Sequence, residues 1–272
     1  MEEKELKAME WYFPKSLEEL AELLKEEGAL IHAGGTVIKE ERIKSAKRVI
    51  DISSLPLNYI KKEGDMWRIG ATATLSRVMD SLESDHLLVK ALKCTATTPL
   101  RNRITMGGSV YLSPLWSNLM GPLLALEAEI EVLGKGQGTC KYEEFLSNRG
   151  KFQDCAVTEV RFPDAKIIGY FDRFARTATD YSALTVTIAL SVEGESIRGA
   201  KVVVTGTKKA YDRLSGVEKA LQGSRLEDVD AEGILRNVNV EFADKPAGSG
   251  PYLTEVSKVL LCRGLNALGG AR

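Results

Sequence analysis

Two glycine pairs, Gly34-Gly35 and Gly107-Gly108, are the positions in this chain whose chemistry best suits binding an anion through the backbone. Glycine reaches positive φ readily and has no Cβ, so a ligand can contact the main chain directly. Backbone N–H groups gathered at such a turn form a concave anion site. We therefore predict two glycine turns that hold the two phosphates of a dinucleotide from opposite sides. The competing interpretation is that both pairs are ordinary loop turns.

Side chains near these pairs also have a structural and a functional interpretation. His32 is better explained as a strand-end histidine than as a base. Tyr111 and Trp116 fit either stacking on a flat ligand ring or packing in a core. Arg101 and Arg103 are suited to attract phosphate, although a solvated face is the preferred interpretation for at least one of them. No residue set predicts a side-chain nucleophile or an acid–base catalyst.

Composition excludes several classes of function. The 272 residues suit one large domain or two modest ones, and a formal net charge of -1 gives no basis for binding nucleic acid. Four scattered cysteines and two histidines lack metal-ligand spacing, so no metal site is expected. The charged N-terminal segment has no signal-peptide pattern, and no apolar run reaches the length of a membrane span. We therefore expect a cytoplasmic protein with free thiols.

The elements that must position the glycine pairs divide into three predicted regions. Residues 1–55 form a first subdomain, in which Ser16 and Glu19 make a capping box, a helix ends at Gly28, and strands follow at Ala29–His32 and Arg48–Ile52. Residues 56–165 form a second subdomain that contains a hairpin, several helices and a final strand closed by Pro163. Within it, the glycine-rich stretch 134–138 is interpreted as a hairpin turn rather than a nucleotide loop.

Residues 166–272 form the third predicted region. Strands are expected over Ile168–Ala175, Ala183–Glu193 and Ile197–Thr205, and amphipathic helices over Tyr211–Leu221 and Thr254–Leu268. This pattern predicts a three-stranded antiparallel sheet with helices on one face.

The order of several short motifs makes the chain similar to a known family. They are AGGT at 33–36, VIDIS at 49–53, IGATAT at 69–74, LRNRITMGGSV at 100–110, TEVRFP at 158–163 and RTATDYSALTVTIAL at 176–190. In this order they resemble the FAD-binding subunit of the molybdenum hydroxylases, which include xanthine dehydrogenase and carbon monoxide dehydrogenase. The resemblance implies an α+β fold of the vanillyl-alcohol-oxidase/MurB-like type, in which two subdomains hold FAD and a C-terminal domain follows.

The resemblance also implies which residues contact FAD. The first turn would supply Leu30, Ile31, His32, Ala33, Gly34, Gly35, Thr36 and Val37, and the second would supply Thr105, Gly107, Gly108 and Ser109. Tyr111 is a further expected contact. Ser117 and Asn118 would lie near the adenosine and ribityl end, and Arg173 near the isoalloxazine.

The family's architecture implies partners as well. Substrate would be hydroxylated at a molybdopterin in a large subunit, and electrons would reach FAD through two [2Fe–2S] clusters of a small subunit before passing to NAD+ or another acceptor. Val37, Ser109 and Asn118 depart from the family's usual AGGTD, GGN and aspartate. A neutral acceptor in place of that aspartate would cost about 1 kcal/mol. Two alternatives stay open, namely a stand-alone MurB-like flavoenzyme and a scaffold subunit that has lost FAD.

Overall fold

Three separate sheets organise the chain, as seen in a computed structural model that describes residues 10–37 and 46–269. The charged segment used above to argue against a signal peptide lies, up to residue 9, outside the described residues. Within the described ranges, no helix has both the length and the apolar character needed to cross a membrane. The mixture of sheets and helices agrees with the predicted α+β fold.

The first sheet is parallel, with strand order β1-β3-β2. Its elements are β1 (Glu10–Tyr12), α1 (Leu17–Leu23), β2 (Ala29–His32) and β3 (Arg48–Asp51). Ser16 Oγ accepts from the Glu19 backbone N–H at 3.2 Å, and Glu19 Oε2 accepts from the Lys15 N–H at 2.8 Å, which confirms the predicted cap. The register places His32 opposite Asp51, at the end of both strands.

The second sheet is antiparallel, with strand order β4-β5-β8-β6-β7. Its strands are β4 (Ile60–Glu63), β5 (Met66–Gly70), β6 (Glu129–Gly134), β7 (Gly138–Lys141) and β8 (Cys155–Pro163). The accompanying helices are α2 (Leu75–Ser81), α3 (Leu87–Lys93), α4 (Thr98–Arg101), α5 (Met106–Leu112), α6 (Met120–Ala125) and α7 (Tyr142–Ser147), with a 3-10 turn at Arg149–Phe152. The glycine-rich stretch 134–138 connects β6 to β7 as a hairpin, as predicted.

The third sheet is antiparallel but has four strands, so the predicted count of three is wrong. Its strands are β9 (Ile168–Phe174), β10 (Leu184–Glu193), β11 (Ser196–Thr207) and β12 (Ala210–Arg213), and its helices are α8 (Ser215–Leu221), α9 (Ala231–Leu235) and α10 (Gly250–Gly269), with a 3-10 turn at Leu226–Asp228. The predicted helix Tyr211–Leu221 begins only at Ser215, because a turn at positive φ on Ala210 returns the chain to pair with β11. Pairing with β11 satisfies backbone groups that would otherwise lie at an open edge.

Both faces of this third sheet are buried, rather than one as predicted. Ile188 and Val202 pack into a core with α10, whereas their neighbours Ala189 and Val203 pack into the core of the second sheet. Helix α6 packs closely on strand β10 at Gly121, where a Cβ would lie only 2.4 Å from Thr187 Oγ1. Glycine at position 121 makes this close contact possible. Residues 184–190 of β10 are all buried, including the polar Thr185 and Thr187.

Candidate functional site

The first glycine pair forms a turn directly after β2. Gly35 has φ +66°. Gly34 lies so close to the loop that precedes α5 that a Cβ on it would be 1.8 Å from the carbonyl oxygen of Arg103. Arg103 Nη2 donates to the Gly34 carbonyl at 3.2 Å. Only glycine fits at position 34, and position 35 favours it because of its positive φ. This turn therefore has the geometry that the sequence predicted.

The second glycine pair is not a turn, which corrects the prediction. Gly107 and Gly108 lie in the first turn of α5, whose N-cap Thr105 accepts from the Gly108 N–H at 3.3 Å. The Gly107 N–H donates to the Ala71 carbonyl at 2.9 Å, and a Cβ on Gly107 would lie 2.6 Å from that of Ala71. Both N–H groups have partners within the protein, and the missing Cβ at position 107 lets α5 pack closely against Ala71. Contact of Gly107 and Gly108 with the cofactor stays a prediction.

A cleft of about 300 Å³ is lined by residues of the first glycine turn and of the loop before α5. Its lining is mostly hydroxyl, amide and cationic side chains: His32, Ala33, Gly34, Ser53, Asn58, Thr72, Thr74, Asn102, Arg103 and Thr105. These residues follow β2, β3 and β5 or lie in the α4–α5 loop, except Asn58, which precedes β4. Such a set of hydrogen-bond donors suits a phosphate-bearing ligand.

Thr72 gives the strongest indication that the cleft receives a ligand. Thr72 lines the cleft and is 7% exposed, and its hydroxyl has no hydrogen-bond partner among the residues that the structure describes. A buried hydroxyl without a partner costs free energy unless a ligand or water satisfies it. A diphosphate group in the cleft has acceptor oxygens that suit such a hydroxyl.

His32 and Asp51 form a hydrogen-bonded pair at the edge of this cleft. Nδ1 of the histidine is 2.8 Å from Oδ2 of the aspartate, and Oδ1 accepts from the Ser53 N–H and hydroxyl at 2.8 and 2.5 Å. Burial raises the pKa of Asp51, but the Ser53 hydrogen bonds and the His32 charge outweigh it, so the pKa is lowered overall. Asp51 is therefore an ionised acceptor at neutral pH.

Asn118 and Arg173 belong to a second cluster, away from the lining of the cleft. Asn118 Nδ2 donates to the Cys94 carbonyl at 2.9 Å, and its Oδ1 accepts from the Ser182 hydroxyl at 2.6 Å. Arg173 Nη1 also donates to Ser182 Oγ, at 3.2 Å. Asn118 is 7% exposed, so its amide is used inside the protein.

The segment that Arg173 contacts carries an exposed aromatic pair. Arg173 donates to the carbonyls of Thr177 and Asp180 at 3.2 and 2.8 Å. Beside them, the rings of Tyr181 and Trp116 lie 5.0 Å apart, and both are well exposed. Trp116 is thus a surface residue rather than the core residue that the alternative interpretation allowed.

The remaining predicted positions are spread around these two clusters. Leu30 and Ile31 are half-buried in β2, Thr36 and Val37 complete the first turn, Ser109 and Tyr111 lie in α5, and Ser117 Oγ caps the Leu119 N–H at 3.3 Å. The sequence prediction had not included Ser53, Asn58, Thr72, Thr74 and Asn102 among the contacts. Ser53, Thr72 and Thr74 lie within the motifs VIDIS and IGATAT, and these motifs were the sequence signal that could have identified them.

Comparison with known proteins gives this geometry a family. The family model for the FAD binding domain in molybdopterin dehydrogenase matches residues 7–165, and the model for the CO dehydrogenase flavoprotein C-terminal domain matches residues 169–268. The glyceraldehyde dehydrogenase medium chain of Sulfolobus acidocaldarius is 28% identical over 237 residues, which cover 80% of this chain and 82% of the relative. The carbon monoxide dehydrogenase medium chain of Hydrogenophaga pseudoflava is 24% identical over 275 residues, covering 95% and 96%.

A solved structure shares the whole architecture. A chain of quinoline 2-oxidoreductase from Pseudomonas putida 86 superposes with a TM-score of 0.84 at 20% identity, covering 98% of this chain and 99% of its own. At that identity the likeness establishes the fold alone. The family models cover nearly all of the sequence, in agreement with the motif order noted at the outset. The chain therefore belongs to the family of FAD-binding subunits of molybdopterin dehydrogenases, as an oxidoreductase subunit whose cofactor is FAD.

Proposed function

We propose that this chain binds FAD with the diphosphate in the cleft between the first glycine turn and the loop before α5. In this proposal it serves as the electron-transfer subunit of a hetero-oligomeric molybdenum hydroxylase. Electrons would arrive from the [2Fe–2S] clusters of a small subunit that serves a molybdopterin-binding large subunit, and would leave to NAD+ or another acceptor. A cytoplasmic location stays a prediction.

The unpaired hydroxyl of Thr72 is the observation that carries the cofactor's position. It belongs to a residue that lines the cleft, whose other walls offer the Arg103 guanidinium and the Thr74 hydroxyl. A dinucleotide diphosphate would supply acceptor oxygens to these donors. Bound FAD supplies the reversible two-electron chemistry, and the residues described here bind and orient it.

We propose that the second cluster supports the flavin end of the cofactor by holding the 175–183 segment in place, without itself contacting the ribityl chain. Asn118 is buried, and its Nδ2 and Oδ1 already bond the Cys94 carbonyl and the Ser182 hydroxyl. We assign it the role of joining α3, α6 and the 175–183 segment. Arg173 likewise holds that segment through the carbonyls of Thr177 and Asp180. Because a guanidinium stays protonated in proteins, it would also place a fixed positive charge there.

A Thr72→Val variant tests the cofactor's position. Removing a hydroxyl that binds a phosphate oxygen is expected to weaken FAD binding by about tenfold, since a hydrogen bond to a charged group contributes about 1.5–3 kcal/mol. The folded apo chain should lose no stability, because valine removes a buried group that lacks a partner. FAD titration followed by flavin fluorescence, with a thermal melt, measures both.

Thr187→Val is the matched control. Its hydroxyl is also buried and finds no hydrogen-bond partner in the described part of the chain, but Thr187 lies in β10, outside the cleft. FAD affinity should be unchanged in this variant. Equal affinity of Thr72→Val and wild type would place the diphosphate elsewhere.

The role in a complex is tested by purification from the native source. Recovery of the chain with an iron–sulfur subunit and a molybdopterin subunit, and bleaching of the flavin bands by NADH under anaerobic conditions, would support the proposal. A yellow chain without partner subunits would instead favour a stand-alone flavoenzyme. A complex whose chain takes up no FAD would favour a scaffold.

A further inference from the structure

The imidazole of His32 is held in one orientation at the edge of the cleft. Its Nδ1 contacts Asp51 Oδ2 at 2.8 Å, and the ring of Trp11 packs edge-on at 5.2 Å. An ideal Cβ on Gly35 would lie 2.9 Å from His32 Nε2. Nε2 therefore points at the glycine turn, while Nδ1 points away from it.

The partner of Nδ1 decides what Nε2 can do. Asp51 is an acceptor only, and its other oxygen is already fixed by Ser53. Nδ1 must then carry a proton. In the neutral ring Nε2 presents a lone pair, which repels an anion, whereas in the imidazolium it becomes an N–H donor toward the turn.

Two groups of opposite charge flank this imidazole. Asp51 faces it from β3, and Arg103 from the loop before α5, with Nη2 3.6 Å from the same ideal Cβ position on Gly35. From β1 it meets the uncharged ring of Trp11. An anion bound beside Gly35 would thus lie near a guanidinium and, when the ring carries a second proton, an imidazolium.

We propose that His32, oriented by Asp51, donates a hydrogen bond from Nε2 to the diphosphate of bound FAD, so that FAD affinity falls as rising pH removes that proton. This inference rests on the proposed position of FAD. It gives the side chain of His32 a role beyond the end of a strand, and it makes Asp51 a positioning residue.

FAD titrations of the full-length apo chain from about pH 5.5 to about pH 8.5, at constant ionic strength, test the proposal, because imidazoles change charge in that range. The diphosphate diester of FAD stays ionised throughout. Wild-type affinity is expected to fall by about tenfold across the range, the amount expected for one hydrogen bond to a charged group. ADP-ribose, which shares the diphosphate diester but lacks the flavin, should show the same slope.

Three variants test whether His32 causes the pH dependence of FAD affinity. His32→Gln should bind FAD with a flat pH profile near the weak, high-pH wild-type affinity. Asp51→Asn should move the midpoint of the profile to lower pH, because the carboxylate that supports the imidazolium is gone. His86→Asn removes the other histidine of the chain and should keep the wild-type profile. Circular dichroism checks that each variant is folded. If only one of His32→Gln and Asp51→Asn folds, the pH profile of that variant alone tests the proposal.

The outcomes separate this inference from the proposed function. A flat wild-type profile, or a slope that survives in His32→Gln, overturns the role of His32 while leaving FAD in the cleft. A wild-type chain that binds neither FAD nor ADP-ribose at any pH contradicts the proposed function itself.

Discussion

The backbone of Gly34 lies against the carbonyl of Arg103, so close that a Cβ would sit 1.8 Å from the oxygen. This contact joins the first glycine turn to the loop before α5, which are 69 residues apart in the chain. The Arg103 guanidinium returns to donate to the Gly34 carbonyl at 3.2 Å. The two walls of the cleft are thereby fixed to each other without a covalent link.

Gly34→Ala is expected to separate these walls. Because the obstacle is a backbone carbonyl rather than a flexible side chain, the turn must shift, at a cost of about 1–3 kcal/mol in the free energy of unfolding. FAD affinity should fall by more than the stability loss alone explains, since the donors of the two walls no longer converge. Urea unfolding and FAD titration measure the two effects.

Gly150→Ala is the control for Gly34→Ala. Position 150 has no neighbouring atom within 4 Å of an added Cβ, so stability and FAD affinity should match the wild type. Wild-type FAD affinity in Gly34→Ala would show that the contact does not shape the cleft.

Local signals were enough to predict elements whose determinants are adjacent in sequence. Ser16 and Glu19 cap α1 as their spacing indicated, and Gly64 turns the β4–β5 hairpin with φ +59°. The motif order then led to the family and the fold. Gly107-Gly108 could not be assigned from local sequence, because a glycine pair is compatible both with a turn and with a helix that packs tightly, as this one does against Ala71.

The chemistry of the site depended on contacts between distant residues. Asp51 lies 19 residues from His32, and only the parallel pairing of β2 with β3 brings the two side chains together. Asn118 was expected to face the cofactor, but its partners Cys94 and Ser182 are 24 and 64 residues away. Neither pairing has a signature that spacing or composition reveals.

Asn118→Asp tests whether this position serves the fold or the cofactor. The amide nitrogen donates to the Cys94 carbonyl, so a carboxylate oxygen there would place two acceptors at about the same 2.9 Å separation. We expect a loss of about 1–3 kcal/mol in the free energy of unfolding, measured in urea. FAD binding should not improve, although the resemblance noted in the sequence implies an aspartate at this position.

Asn148→Asp is the matched control for Asn118→Asp, because Asn148 also donates to a carbonyl but is exposed. Its effect should stay within about 0.5 kcal/mol. A stable Asn118→Asp variant that binds FAD more tightly than wild type would reassign Asn118 to the cofactor.

Arg173→Lys is expected to loosen the 175–183 segment. The planar guanidinium reaches the carbonyls of Thr177 and Asp180 together, and a single ammonium cannot span both. Limited proteolysis should cleave this segment about fivefold faster, as expected when about 1 kcal/mol of local stability is lost. Arg176→Lys, which alters only an exposed pair with Asp180, should cleave at the wild-type rate.

His86 should make the apo chain sensitive to mild acid. Burial lowers the pKa of His86 from 6.5, outweighing the opposite effects of Asp164 and Asp85. The unfolded chain then binds more protons than the folded chain between the lowered pKa and 6.5, so the free energy of unfolding decreases as pH falls through that window. The neutral ring is also needed because Nδ1 accepts from the Leu88 N–H at 3.1 Å, at the N-cap of α3.

Urea unfolding at several pH values between about 5 and 8, the range in which histidine titrates, measures this effect. His86→Asn keeps an N-cap acceptor but removes the titrating group, so its stability should vary less with pH than that of wild type. His86→Ala should in addition lose about 1 kcal/mol at neutral pH, the usual cost of a missing cap. Asp51 does not contribute to the pH dependence of stability in this range, because its pKa is lowered from 3.8 and lies below the range. An undiminished slope in His86→Asn would assign the acid sensitivity to another group.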